Sequence, residues 1–310
     1  MLKISIAIPV FNSENTIIQL VDSLIVELKA FDIEVVLVND CSVDKSEQSC
    51  IHIFNKYPDK VKFYSLSKNV GEHNAVMAAI NNVSGDYVVI MDDDFQNPVS
   101  EVAKLINYIS NNNYDVVYTY YDKKKHSFFR NIVSKLNDKV ANVMLGKPKN
   151  LYLSSFKAIN KFIVNEIIKY DLPFPYIDGL ILRTTSNIGK IKVEHHNRKD
   201  GKSQYNLIKL FSLWLNMLTN FSILPLRFAI FVGFIFSAIG FLLGFAGVLM
   251  KFLDPAVPIG YASQFVVISI FGGIQLIAIG MVGEYIGRIF ISMNKKPQFS
   301  IKKRFENTDI

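Results

Sequence analysis

From Phe228 to Met250 the chain reads FAIFVGFIFSAIGFLLGFAGVLM, 23 residues without a charge. Few structures can hold such a run. As a helix rising 1.5 Å per residue it would be about 35 Å long, enough to cross the hydrocarbon core of a bilayer. A second stretch, Ala262 to Gly283, has only Gln264 and Gln275 as strongly polar groups. A buried helix pair in a soluble domain would need cover, and the residues after Gly283 are too few to supply it. The connecting KFLDPAVPIG holds Pro255 and Pro258, which break helices. The two runs are therefore expected to form a membrane hairpin, with spans near 228–250 and 262–283. Lysine and arginine crowd the first 227 residues and the tail (Arg288, Lys295, Lys296, Lys302, Lys303, Arg304), while the link has only Lys251. By the positive-inside rule the large N-terminal part and both termini belong in the cytoplasm. The formal net charge of +7 then reads as attraction to an anionic leaflet. Nucleic-acid binding is excluded as the reading of this charge, because no recognition helix or aromatic-basic platform accompanies it.

The hairpin accounts for only part of the chain. Through the first 120 residues strand and helix patterns alternate. Apolar runs predict strands at Ile4–Val10, Ile33–Asn39, Val61–Leu66, Tyr87–Met91 and Asp115–Tyr120. Helical spacing predicts helices at Glu14–Lys29, Val43–Lys56, Glu72–Asn82 and Pro98–Ser110. Such alternation argues for an α/β domain with a mostly parallel, Rossmann-like sheet and helices on both faces. Sheets of this kind bind ligands at the carboxyl ends of their strands. Asn12, Asn39, Asp40, Lys68 and Asn69 fall there. The N-terminus MLKISIAIPVFN is short and alternating and lacks a cleavage site, so it is not a signal peptide. Cys41 and Cys50 are expected to be free thiols of a cytoplasmic domain.

Two basic amphipathic patterns follow. Residues 123–149 place Phe128, Phe129, Ile132, Val133, Leu136, Val140, Val143, Met144 and Leu145 at helical spacing, with lysine and arginine opposite. Either a solvated helix on the core or an interfacial helix fits them. Tyr205–Phe221, which leads into the first apolar run, fits an interfacial helix. The expected organisation is a domain over 1–204, a juxtamembrane helix over 205–226, the hairpin over 227–287 and a basic tail over 288–310.

The strand at Tyr87 ends in MDDDFQNP, three consecutive aspartates at the end of a buried run. Like charges so placed repel unless a cation sits among them. Asp92 and Asp94 can point the same way at a strand end. With the Gln96 amide they form an oxygen-only ligand set suited to Mg²⁺ or Mn²⁺. The competing reading is an Asp-rich turn in which Asn97 and Pro98 start the next helix. That accounts for a cap but leaves two carboxylates idle.

The Asp-x-Asp-x-Gln-Asn-Pro pattern resembles the family 2 glycosyltransferases of the GT-A fold that load sugar onto a polyprenyl phosphate. IAIPVFNSENTI, VLVNDCSVDKS, LSKNVGEHNAVMAAI, HHNRKDGKSQYNLIKL and GMVGEYIGRIF are similar to this branch in the same order, nearly end to end. The likeness is to undecaprenyl-phosphate aminoarabinose and glucosyl transferases with two C-terminal membrane helices. The resemblance implies an inverting transfer from a nucleotide-diphosphate sugar, with a uridine nucleotide expected, to undecaprenyl phosphate in cell-envelope or lipopolysaccharide modification at the inner membrane. It implies that Pro9, Phe11, Glu14, Asp40 and Lys68, with Asp92 and Asp93, hold the nucleotide. It implies a metal on Asp92, Asp94 and Gln96. It implies Asp94, Arg130 and Arg198 as catalytic groups, and Arg130, Ser134, Arg198 and Lys202 as contacts of the acceptor phosphate. A homo-oligomer, a tetramer, is expected on the same ground. Two positions depart from the pattern: Ser155 stands where many relatives carry aspartate before a Phe-Arg pair, and Tyr121 stands where many have arginine. Ser155 keeps a nucleotide-sugar-binding scaffold of weak activity in view. A processive polysaccharide synthase is disfavoured, because Trp214 lacks a Gln-x-x-Arg-Trp context. A carrier or channel is excluded, since one hairpin offers no intramembrane ionisable path.

Overall fold

The structure, a computed structural model, describes residues 2–121, 148, 151–194, 224–253, 260–294 and 297–307. Arg130, Ser134, Arg198 and Lys202 lie outside the described residues. So do the amphipathic segment at 123–149 (Pro148 apart), the segment Tyr205–Phe221, and Pro255 and Pro258. The chain divides into two units, Met1–Asn206 with Lys295–Ile310, and Leu207–Asn294.

The first unit is built on strands β1 (Lys3–Val10), β2 (Asp32–Asn39), β3 (Val61–Leu66), β4 (Tyr87–Ile90), β5 (Val116–Tyr120), β6 (Lys157–Asn160), β7 (Ile188–Lys192) and β8 (Ile301–Phe305). They form one sheet in the order β7-β5-β6-β4-β1-β2-β3-β8. The β4-β1-β2-β3 centre is parallel, whereas β6 and β8 run antiparallel to their neighbours. Helices α1 (Ile17–Glu27), α2 (Ser46–Lys56), α3 (Glu72–Ile80) and α4 (Val99–Asn112) connect the parallel strands. Helices α5 (Lys161–Ile167) and α6 (Ile177–Thr184) follow β6.

Strand alternation sorts the core into two faces. Ile4, Ile6, Ile8 and Val10 cluster with Val35, Leu37, Phe63 and Val89 beneath the apolar stripes of α1 (Ile17, Leu20, Val21, Leu24), α2 (Cys50, Ile53) and α4 (Val102, Leu105, Ile106, Ile109). The opposite parity, Ala7, Val36 and Val38, is equally buried, and α3 packs on β1 and β2 through a fully buried Ala75–Ile80. All five predicted strands are present to within two residues at either end. The four predicted helices are present too, α1 and α2 each starting three residues later than its pattern.

At the amino end of the sheet Glu34 is buried among hydroxyls. Its carboxylate accepts from the Ser5 and Ser84 side chains and from the Ser84 amide, and Lys62 Nζ lies 3.1 Å away. Burial alone would raise its pKa, but these bonds and the Lys62 charge outweigh that and hold it at about 2. A carboxylate depressed in the folded state contributes stability above its unfolded pKa and loses it as pH falls toward the folded value. Thermal stability should therefore drop more steeply between about pH 4.5 and 2 in the wild type than in Glu34→Gln. Parallel melting curves of the two proteins across that window check this.

The second unit holds α7 (Leu224–Leu253) and α8 (Tyr261–Met293). Within them Leu226–Ala246 (21 residues) and Ile270–Met293 (24 residues) are long and apolar enough to cross a membrane. Helix α8 contains the whole of the predicted 262–283 and runs on through Glu284 and Arg288. These two residues pair at 2.8 Å within one helix turn, which offsets part of the cost of their charges. Phe228, Phe234, Phe241 and Leu276 stand more than 60% exposed, an apolar surface that water does not tolerate. The helices meet at Gly240, where a Cβ would sit 2.9 Å from the Phe271 ring; Phe236 stacks edge-on against the same ring. At Gly244, Gly283 and Gly287 no described residue lies within 4 Å of where a Cβ would sit.

Candidate active site

The loops after β1, β2, β3 and β4 meet at the carboxyl edge of the sheet, tied by side chains that accept from backbone amides. Asn12 N donates to Ser42 Oγ (3.0 Å), and Val43 N to Asn12 Oδ1 (3.0 Å). Lys45 N donates to Glu14 Oε2 (2.9 Å) and Glu14 N to Asp44 Oδ2 (3.2 Å). Both carboxylate oxygens of Asp40 are engaged, by Val70 N (2.7 Å) and Gly71 N (2.9 Å), so the β2 loop braces the turn before α3. Burial raises the Asp40 pKa despite those two bonds. Asn12, Cys41 and Phe95 all adopt positive φ, near 55–60°. Non-glycine residues hold that strained conformation only where surroundings over-determine it, and such strain concentrates at functional sites.

The three aspartates have separated environments. Asp93 turns inward: its Oδ2 accepts from the Ser13 hydroxyl and from Phe11 N (3.1 Å), and its carbonyl from Thr16 Oγ1 (2.8 Å). Burial pushes its pKa up to about 6 against those bonds. Expected among the nucleotide contacts, it instead fixes the loop that carries Phe11. Asp92 and Asp94 remain half-buried at the edge. Ser155 Oγ donates to Asp92 Oδ2 at 2.6 Å, and Gln96 N to Asp94 Oδ1 at 3.0 Å. Asp92 is pushed up to about 7, first by burial and then by the charges of Glu72 and Asp94. Asn97 does not cap α4. Its Oδ1 accepts from Tyr121 (3.0 Å), Pro98 occupies the cap position, and no side chain caps the helix. The capping reading of the turn therefore fails, although each of the three carboxylates accepts a hydrogen bond there.

Among the described residues no three acidic, histidine or cysteine side chains converge into a ready-made metal cage. The charges of Glu72, at the start of α3, and of Asp94 nevertheless bear on Asp92, and carboxylates with a neighbouring amide such as Gln96 are the oxygen donors a hard divalent cation takes. Pro9 is half-buried at the end of β1, Phe11 and Glu14 are half-buried just beyond it, and Lys68 is exposed after β3. All four therefore share the edge with Asp40 and the aspartates.

Sequence reasoning missed a second polar group beside this edge. Lys157 of β6 and Asp178 of α6, both over 90% buried, form an ion pair; Tyr118 donates to Asp178 at 2.9 Å, and the Lys157 ammonium lies over the Tyr118 ring. His73 stacks edge-on against Tyr176 near the pair, and burial lowers its pKa. The available signal was a lysine flanked by Phe156 and Ala158 in an otherwise apolar strand. Cys41 and Cys50 are free thiols, as expected.

A mostly parallel sheet with an acidic turn at its carboxyl edge is the architecture of a GT-A glycosyltransferase. The chain belongs to glycosyl transferase family 2, whose profile matches residues 5–168. It is 30% identical, over 97% of its length and 93% of the relative, to the undecaprenyl-phosphate 4-deoxy-4-formamido-L-arabinose transferase of Proteus mirabilis. The protein of that name from Photorhabdus laumondii is likewise 30% identical, over 97% of this chain and 94% of the relative. Among solved structures, the glucosyl-3-phosphoglycerate synthase of Mycobacterium tuberculosis in complex with uridine diphosphate aligns with a TM-score of 0.51 at 18% identity. The alignment covers 70% of this chain and 79% of that one, a likeness of fold.

Proposed function

We propose that this protein transfers a sugar from a nucleotide-diphosphate donor, a UDP-sugar, to a polyprenyl phosphate, undecaprenyl phosphate, at the inner membrane for cell-envelope modification. One observation carries the reading: the correspondence to undecaprenyl-phosphate sugar transferases runs over 97% of the chain and so includes the apolar helices as well as the sheet. An oxygen of the lipid phosphate attacks the anomeric carbon, the bond to the donor's β-phosphate oxygen breaks, and nucleoside diphosphate leaves. Attack from the opposite side inverts the anomeric centre. The phosphate nucleophile is already anionic, so the reaction asks for position and charge neutralisation more than for a base. This is consistent with Ser155 in place of an aspartate.

Pro9, Phe11, Glu14, Asp40 and Lys68 bind the nucleotide, and Asp93 holds their loop. Asp92, Asp94 and Gln96 hold Mg²⁺ or Mn²⁺, which when bound neutralises charge on the departing diphosphate. Arg130, Ser134, Arg198 and Lys202 are assigned to the lipid phosphate on the sequence alone. The helices span the membrane as a pair. Pairing of β8 with β3 supports this, because it requires the chain before α7 and after α8 to share one compartment, which the charge distribution makes the cytoplasm. Assembly as a homotetramer completes the proposal. The test is a panel of nucleotide sugars offered to the purified protein with undecaprenyl phosphate, read as lipid-linked product by mass. Failure of every donor to give such a product, with the protein folded and Mn²⁺ present, would sink the reading.

A further inference from the structure

The chain beyond α8 returns to the first unit. Gln298 Nε2 donates to the carbonyls of Tyr170 (2.6 Å) and Leu172 (2.8 Å). Ser67 N donates to the Ser300 carbonyl (2.9 Å), and β8 then runs antiparallel to β3 as the edge of the sheet. Phe305 anchors it, stacked on Phe63 at 5.4 Å and tilted against Phe54 at 5.7 Å. Asn307 closes the segment on Asp59 (2.7 Å). An edge strand of sequence IKKRF would be explained by charge alone as protection from aggregation. One of its lysines does more.

Lys303 Nζ reaches Glu47 Oε1 at 2.5 Å. The other oxygen of Glu47 accepts from Ser65 Oγ (2.7 Å), and Ser65 Oγ accepts from Asn39 Nδ2 (3.1 Å). Asn39 Oδ1 in turn accepts from both Ser42 Oγ (2.6 Å) and Ser42 N (3.2 Å). Ser42 Oγ takes the Asn12 amide. An unbroken polar chain thus leads from the C-terminal strand to the loops holding Asp40, Phe11 and Glu14. Asn39 and Ser65 are fully buried, so their bonds have no water to replace them. Lys303 holds the Glu47 carboxyl below its usual pKa, chiefly through their hydrogen bond.

We propose that Lys303 is a positioning residue for nucleotide binding, acting through Glu47, Ser65 and Asn39 on the loop at residues 40–44. The C-terminal strand is then a working part of the donor site. This rests on the assignment of that loop to the nucleotide. An isolated half-exposed ion pair is worth little; the effect here comes from the orientation Glu47 imposes on buried partners.

The test uses full-length protein in detergent and UDP as the probe, by calorimetry, with steady-state kinetics alongside. Lys303→Met should weaken UDP binding about fivefold, or about 1 kcal/mol. It should raise the donor KM by the same factor and leave kcat within twofold. Glu47→Gln should do the same, and the double variant should be no worse than either single. Lys303→Arg should restore binding. Amides at 40–45 should exchange faster in Lys303→Met. Asp40→Asn separates the two layers of the argument. If it abolishes UDP binding while Lys303→Met binds as wild type, the relay is wrong. If neither variant affects UDP, the nucleotide assignment of the loop is wrong and the relay falls with it.

Discussion

Asp94→Asn is expected to lower kcat by about a thousandfold or more and to remove the response of turnover to Mg²⁺ or Mn²⁺. The expectation comes from the division of labour among the three aspartates. Asp93 is buried and already committed to Ser13 and the Phe11 amide. Asp92 and Asp94 stand at the edge, one residue apart, with Glu72 adding a third charge nearby. An amide at position 94 keeps the acceptor for the Gln96 amide, so the turn should survive while one metal ligand loses its charge. Asp93→Asn is the contrasting arm. It should leave the metal dependence in place and instead raise the donor KM, because it weakens the staple on the Phe11 loop. Metal titrations of both variants, by Mn²⁺ resonance and by rate, read the difference. Equal metal affinity in Asp94→Asn and wild type would overturn the assignment.

Why was so much of this visible in the sequence? The parallel core announces itself because its strands are apolar on both faces and its helices carry clear stripes, as in Ile17, Leu20, Val21 and Leu24. The acidic turn is visible because three adjacent carboxylates have few structural uses. What sequence hid were elements whose stability comes from neighbours. β6 is four residues long and forms by pairing antiparallel with both β4 and β5. β7, IGKIK, and β8, IKKRF, carry more charge than a strand pattern predicts and sit at the two sheet edges, where one side needs no partner. The 288–310 segment reads as a basic tail until Phe305 is seen against Phe63. The role of Asp93 was equally hidden, since alternation says which way a side chain points and not what meets it. Ser155 reads as a loss against related sequences, yet in space it supplies the hydroxyl that orients Asp92.

Lys157→Met should cost about 3–5 kcal/mol, or a fall of roughly 10 °C in melting temperature in detergent. Lys157 and Asp178 are both buried, at 4% and 7% exposure, and their ion pair is supplemented by the Tyr118 hydroxyl. Two charges taken from water roughly break even when they meet, so the pair itself need add little. Removing the lysine leaves Asp178 charged, desolvated and held by a single donor, and that is the source of the loss. The signature is therefore non-additivity. Lys157→Met with Asp178→Leu should melt within a few degrees of wild type, because no uncompensated charge remains. The site lies against the machinery: β6 pairs with β4 immediately before the aspartates, and Ser155, two residues from Lys157, donates to Asp92. The single variant should accordingly lose transfer activity at temperatures where the double variant stays folded. Melting curves of the four proteins decide it. A Lys157→Met protein as stable as wild type, or a double variant no better than the single, would show that the buried charge is not what this end of the sheet depends on.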